Sequence, residues 1–490
     1  MSEITANKQV ENNIDEQMKP ILTDMLKYSP SKIVGFLGNL IVVPIYTHLL
    51  TTQEYGLYAM AVAALSFLCI IFSDWIGLSG LRFFRVHQIN ENIPKYLTTL
   101  LVLLVINLSA LFLTAFFFKD NFCDFFKIPI NVFLATLILI IPVAIRALLF
   151  QILRAQIKPN AYTFSTILNQ FLTIAMAVAI IKTTNLGGVS ILLAMGISIS
   201  LIDILLLFQS NIFSYFKFEK IQFNILKTLF IYGAPIAIAS ISVWGMTQSN
   251  KFILQRIKGI SSVGLMGVGY NLTFPLLMTI FAIIPIAAFP RIINLYVEKK
   301  DVRPVISKLT EYFMLISLPI IAIGSFYSKE IVLFFAHQRF LDAYVLLPYL
   351  GFSAFFLSFA EYTTMQYHLI NKTHIDTIIK VASGIIGVVL NIILIPPLGL
   401  VGVGIATLFA NILYFLLSII IVIPNLEWQV PYRKICLILL SFLPVYGLYE
   451  LLQHSEGHTK SIYEIIVLMG VYYLVFFVLN KFFKIKKEAA

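Results

Sequence analysis

From residue 25 to residue 483 the chain alternates between long apolar runs and short polar breaks. The stretch Met25–Ser73 sets the pattern, with two runs on either side of the break Thr51-Thr52-Gln53-Glu54-Tyr55-Gly56-Leu57-Tyr58, which holds no Lys or Arg. Crossing ~30 Å of hydrocarbon at ~1.5 Å per residue takes about 20 apolar residues. The pattern predicts spans at 25–49, 55–78, 98–118, 128–152, 160–181, 186–209 and 227–248. It continues at 262–288, 309–328, 341–367, 374–396, 400–424, 433–452 and 462–483, about fourteen in all. Backbone groups in lipid must be bonded within their own segment, and these runs are too long and too uniformly apolar for barrel strands. The expected fold class is an all-α polytopic membrane protein.

Composition agrees. Hydrophobic residues make up 59% of the 490 and charged residues 12%, where soluble domains carry about 25% charge. The longest polar connections, around 82–97 and 290–308, leave no room for a soluble catalytic domain, so function has to be built from helices and short loops. Three cysteines, Cys69, Cys123 and Cys436, are too scattered for a disulfide framework or a metal site. Residues 1–24 form a polar tail of mixed charge without an apolar core, so no cleavable signal peptide is expected.

Charge sets the expected orientation. With the N-terminus inside, 23 Lys and Arg fall on the cytoplasmic side and 9 on the outer side. The positive-inside rule then puts both termini in the cytoplasm, including the basic tail 484–490. The net charge of +11 is a topology signal and a means of contact with anionic membrane lipid, with no call for nucleic acid as a partner.

The chain also echoes itself. Tyr232-Gly-Ala-Pro235 answers Tyr28-Ser-Pro30, and Val263-Gly264-Leu265 answers Tyr55-Gly56-Leu57, about 205 residues on. Lys158-Pro-Asn-Ala-Tyr162 and Leu186-Gly187-Gly188 are answered by Lys372-Thr-His374 and Pro397-Leu398-Gly399, at offsets of 211 to 214. The expected organisation is a six-helix bundle at 25–210, a second at 227–424, and an extra helix pair at 433–483. Parallel repeats of this kind place a substrate path between the halves.

With the repeat in view, the chain resembles the polysaccharide flippases of the multidrug/oligosaccharidyl-lipid/polysaccharide exporter superfamily, the O-antigen translocase type. The likeness is carried by Thr52-Gln-Glu-Tyr-Gly-Leu-Tyr-Ala59, by Tyr232-Gly-Ala-Pro235 with Lys251-Phe-Ile-Leu254 and Val263-Gly264, and by Leu390-Asn391 with Ile395–Thr407. The resemblance implies flipping of undecaprenyl-diphosphate-linked oligosaccharide units to the outer leaflet of a bacterial inner membrane, by alternating access, for O-antigen, lipopolysaccharide or other surface polysaccharide. It also implies a polysaccharide polymerase and chain-length proteins as partners, no cofactor, and no covalent bond change.

Such a cargo needs a wet, cationic cavity for its diphosphate, so charges inside spans are the informative ones. Each costs about 2.5–3.5 kcal/mol at a helix centre on insertion scales and usually faces a cavity or a partner. Lys32, Arg82, Arg85, Arg146, Arg291 and Lys380 are the candidate contacts for diphosphate and glycan. Arg146 stands out, with no acid near it in sequence, and Glu361 holds a roughly equivalent place in the second half. For Lys32 the alternative is a side chain snorkelling to the interface, for Arg82 and Arg85 positive-inside anchors, and for Lys380 an acid partner. Asp74, Asp203 and Glu361 are candidates for H+ or Na+ coupling or for a gate. The rival function is a cation-coupled multidrug antiporter of the same superfamily. A membrane polysaccharide polymerase or glycosyltransferase fits less well, since no outer loop is large enough for an active site.

Overall fold

The computed structural model describes residues 40–89, 92–156, 158–210, 221–370, 372–421, 431–454 and 462–489, with Met18, Thr23, Gly38 and Ile212. All regular structure among them is helical. Twelve of the described helices are long and apolar enough to cross a membrane. Two shorter apolar stretches, Leu40–Leu49 (α1) and Phe223–Ile238, stand where the first and seventh spans are expected. The second belongs to a 36-residue helix, Phe223–Lys258, whose far half turns polar at Thr247-Gln-Ser-Asn-Lys251.

The chain divides into two compact units, Pro44–Gly267 and the residues from Val268 onward together with those before Pro44. The first holds α2 (Thr52–Cys69), a π turn at Ile70–Asp74, α3 (Trp75–Ile89), α4 (Ile93–Phe117) and the short α5 (Lys119–Phe126). It continues with α6 (Ile130–Ala155), α7 (Pro159–Thr183), α8 (Val189–Gln209) and α9 (Phe223–Lys258). The break that opens the pattern is a capping box. The Thr51 hydroxyl accepts from Glu54 N at 3.2 Å, while the Glu54 carboxylate accepts from Thr51 N at 2.8 Å, satisfying donors that a helix start leaves open. The helix it starts runs on as one rod to Ile89, past the expected end at 78, because nothing in Leu78–Ile89 breaks it.

Beyond the expected division near residues 210–227, α9 packs on the helices of the first unit. Ser79 Oγ donates to Leu229 O at 3.3 Å, and Trp244 Nε1 donates to Ala63 O and Ser66 Oγ, both at 3.0 Å. Gly233 lies so close to Trp75 that a Cβ there would overlap the indole. The core beneath is Trp75, Phe84, Tyr96, Leu100, Leu148 and Leu229 with their neighbours.

The second unit takes up α10 (Ile260–Phe281) from Val268 onward and holds α11 (Ile283–Val297), α12 (Arg303–Phe326), α13 (Ser328–Phe335) and a 3-10 segment at Gln338–Leu346. Then follow α14 (Leu347–Leu369), α15 (Thr373–Leu398), α16 (Leu400–Ile420), α17 (Tyr432–Leu440), α18 (Phe442–His454) and α19 (Ile462–Ala489). Stacked rings fill its core, with Phe313–Phe355 centroids at 5.4 Å and Phe359–Phe415 at 4.5 Å. The C-terminal helices are fastened to α12. Tyr327 Oη donates to Glu464 at 2.6 Å, and Glu311 takes Lys308 at 3.0 Å and Lys434 at 3.7 Å.

The repeat is plain in the helices. Thr52–Ile89 and Ile260–Val297 start 208 residues apart and are interrupted at the same place, by the π turn in one and at Ala282 in the other. Short helices α5 and α13 are 8 residues each, and α8 and α16 are 21 each. The turns before α8 and α16 pass through Gly187 at φ +53° and Gly399 at φ +57°, a left-handed conformation that glycine adopts without Cβ strain.

Candidate functional sites: a polar cluster in each unit

Arg146 lies on α6, four residues after Pro142, in a helix otherwise apolar around it. It is partly buried and makes no hydrogen bond or ion pair among the described residues. The charged group whose field reaches it is Asp203 on α8. Asp203 is 5% exposed, and neither carboxylate oxygen has a hydrogen-bond partner. Arg146 and Asp203 therefore attract each other across α6 and α8 from beyond ion-pair distance.

The π turn shapes the neighbouring wall. Its extra residue per turn leaves the Ile71 carbonyl to accept from Trp75 Nε1 at 2.9 Å. Ser73 Oγ bonds Cys69 O at 3.0 Å and reaches Asp74 Oδ1 at 3.4 Å. The Cys69 thiol feels both Asp74 and Arg146. On the far side of the turn, Gly77 faces Ala147 and Gln151 of α6.

The second unit carries a counterpart with different chemistry. Tyr414 is the fifteenth residue of α16, as Asp203 is of α8, and Asp376 is the fourth of α15, as Tyr162 is of α7. Tyr414 Oη donates to Asp376 Oδ1 at 2.6 Å, and Lys380 Nζ bonds Asp376 Oδ2 at 2.8 Å. Lys380 also stands 5.4 Å over the Tyr414 ring. Here the charges are paired, whereas in the first unit they are apart.

The expected site residues thus meet different fates. Arg146, Asp203 and Asp74 share one neighbourhood in the first unit. Lys380, expected as a cavity cation, is held by Asp376 one turn earlier, a pairing that the i,i+4 spacing carries. Arg82 and Arg85 are exposed on the last turns of α3, and Arg85 bonds Gln88 at 2.6 Å. Glu361 is exposed on α14, in the unit that does not contain Arg146. Arg291 lies in α11, and Lys32 falls outside the described residues. Asp376 and Tyr414 escape the sequence reading; the i,i+4 spacing from Lys380 could have found Asp376, whereas only the repeat register singles out Tyr414.

Residues 21–296, more than half of the chain, match the family described as polysaccharide biosynthesis protein. The chain belongs to that family. Over 256 residues it is 24% identical to an uncharacterized membrane protein of Methanocaldococcus jannaschii, a match over 50% of each chain, so that it spans about half the length of that relative. Its fold is similar to that of the lipid II flippase MurJ in an inward closed conformation, with a TM-score of 0.72 at 14% identity over 94% of this chain and 98% of that one. It is also similar to an inward-facing multidrug resistance MATE family transporter of the MOP superfamily, with a TM-score of 0.62 at 15% identity over 79% and 93%. Likeness at such identity concerns the fold. Both matches agree with the superfamily resemblance drawn from the sequence motifs.

Proposed function

We propose that the protein flips a lipid-linked oligosaccharide, with an undecaprenyl-diphosphate carrier, from the cytoplasmic to the outer leaflet of a bacterial inner membrane. The observation that carries this is Arg146, a cation in an apolar helix, drawn toward Asp203 but bonded to none of the described residues. A guanidinium in that state can take two diphosphate oxygens at once, which a lysine cannot do with the same geometry. Family membership in polysaccharide biosynthesis supports a glycan cargo, and the exposed Arg82 and Arg85 supply a cationic approach. A diphosphate moving outward gains about 2.3 kcal/mol per charge per 100 mV of inside-negative potential.

A second reading is favoured by Asp203. A buried carboxylate with both oxygens unpartnered is suited to taking up and releasing H+ or Na+, as a cation-coupled antiporter requires. Proteoliposomes decide between them. Purified protein is expected to move a lipid-diphosphate oligosaccharide between leaflets without an imposed ion gradient, and Arg146→Ala to slow it. Transport only of small organic cations, and only with a H+ or Na+ gradient, would establish the antiporter instead. Build-up of unpolymerised units on the outer leaflet after gene deletion would point to a polymerase.

A further inference from the structure

A cavity of about 240 Å³ lies in the first unit where the end of α3 and the starts of α4 and α9 meet. Phe83 and His87 line it from α3, four residues apart and so on one face. Asn224, Ile225, Thr228 and Leu229 line it from α9, and their spacing likewise puts them on one face. Ile225 and Leu229 are buried and make an apolar floor, whereas Asn224 and Thr228 are exposed and leave the cavity open to entry. Tyr96 of α4 stacks on the His87 ring with centroids 4.4 Å apart, and its hydroxyl donates to Gly80 O at 2.7 Å, which holds the imidazole in place.

The lining has spare hydrogen-bonding capacity and no permanent charge. The Gln222 side chain, also in the lining, does not cap α9, and neither its amide nor that of Asn224 makes a hydrogen bond among the described residues. Thr228 Oγ1 donates to Asn224 O at 2.9 Å, which leaves its lone pairs to accept. The Nδ1 edge of His87 is closed off by its neighbours, so the Nε2 edge is the one a ligand can meet. Among the described residues no Lys, Arg, Asp or Glu lines the cavity. That set narrows the occupant. A phosphate or carboxylate calls for a cationic partner, and an alkyl chain would leave the amides without one. A sugar ring suits both walls. Its hydroxyls donate and accept, as amides, an imidazole and a threonine oxygen require, and its C–H face lies against Phe83, Ile225 and Leu229. The cavity is smaller than the ~300 Å³ at which drug-sized sites begin, so it holds one ring rather than a chain of them.

We propose that this cavity is a saccharide pocket, in which His87, Gln222, Asn224 and Thr228 bond the hydroxyls of one sugar ring of the cargo. This rests on the proposed transport of a glycan and names a place where the protein reads its sugar. The pocket lies at the end of α3 that carries Arg82 and Arg85 and that the charge bias predicts to face the cytoplasm, so the sugar would be met before it crosses. A site that bonds a hydroxyl rejects a ring lacking it far more strongly than an apolar pocket rejects a misfit. The pocket would thus set which glycan is accepted, while Arg146 meets the diphosphate common to all of them.

The test is a saturation-transfer NMR titration of the full-length protein in a detergent without a sugar headgroup, since a glucoside or maltoside detergent would compete. The probes are the methyl glycosides of glucose, galactose and N-acetylglucosamine, with methyl phosphate and adenine as rivals. At least one glycoside is expected to bind, and Asn224→Ala and His87→Phe are each expected to weaken it about fivefold. Lys227→Met, exposed on α9 and outside the lining, should leave it unchanged. If His87→Phe does not fold, Gln222→Ala takes its place, since it withdraws an amide and leaves the imidazole on Tyr96. Binding of methyl phosphate or adenine without any glycoside, glycoside binding indifferent to these substitutions, or no binding by any probe would each overturn the proposal. Flipping assays on the same variants keep the two ideas separate. Glycoside binding, weakened as expected in the variants, by a protein that flips nothing would remove the transport reading and leave the pocket. Flipping at the wild-type rate in Asn224→Ala and His87→Phe would remove the pocket from cargo recognition and leave transport.

Discussion

Gly56 and Gly264 each press against the other's helix in the same way. A Cβ on Gly56 would run into the carbonyl oxygen of Ile260, and a Cβ on Gly264 into the carbonyl oxygen of Thr52. The two glycines stand 208 residues apart, and so do Thr52 and Ile260. Within the first unit, equivalent segments of the two repeats therefore cross through a local twofold relation at backbone contact, which no larger residue permits.

Gly56→Ala is accordingly expected to destabilise the protein by about 1–3 kcal/mol, the usual cost of overpacking. Gly447, whose added Cβ would meet nothing within 4 Å, provides the control. Gly447→Ala should be neutral or slightly stabilising, as Gly→Ala within a helix generally is. Thermal unfolding in detergent compares the two; equal midpoints would mean that the crossing yields without cost.

Arg146 and Asp203 are expected to act together. Arg146→Ala and Asp203→Asn should each lower flipping. The double variant should show a coupling of about 0.5–3 kcal/mol in a double-mutant cycle, as interacting neighbours do. Strict additivity would show that the two side chains serve separate purposes.

In the second unit, Lys380→Met should cost more stability than Asp376→Asn. The first leaves a carboxylate that is 7% exposed with the Tyr414 hydroxyl but without the Lys380 cation, and a buried charge stripped of its counter-charge is costly. The second keeps a polar group for the Tyr414 hydroxyl, while Lys380, at 36% exposure, can turn to water. The reverse order in urea or heat would mean that Lys380 stabilises little in the folded state.

Asp301, in the loop before α12, gives a pH prediction. Arg303 donates to its carboxylate from Nε at 2.9 Å, from Nη2 at 3.0 Å and from its backbone N at 3.0 Å. These bonds hold the Asp301 carboxyl below the ordinary carboxylate range. A depressed folded-state pKa gives stability that is present above the unfolded value and is lost as pH falls through the folded one. The wild type should therefore exceed Asp301→Asn by a small margin at neutral pH, and the margin should close in acid. A difference that stays constant with pH would assign the effect to something other than this carboxylate.

Cys123, on the short helix α5, is partly exposed. The charge bias along the chain predicts both termini in the cytoplasm, an orientation that would turn the α4–α6 connection outward. An impermeant maleimide is expected to label Cys123 on intact cells, and Cys123→Ser should remove that signal. Labelling that requires permeabilised cells would invert the topology.

Much of this architecture was legible in the chain itself, because the bilayer makes burial a local property. Each span needs its own run of apolar residues, and each break shows as polar residues. Thr51 and Glu54 announce the start of α2 through their spacing alone, and Gly187 and Gly399 mark the same turn in both repeats. Helix partners are a different matter. In lipid, a helix chooses its neighbour by close packing and a few hydrogen bonds rather than by hydrophobicity. Nothing in the hydropathy of Phe223–Lys258 says that Trp244 will bond to Ala63, or that Gly233 will seat α9 on the first unit. The charges follow the same rule. Lys380 met its acid one turn away, where spacing could have shown it. Arg146 and Asp203 are 57 residues apart on different helices, and only the packing of α6 on α8 could bring them near each other while keeping them unbonded.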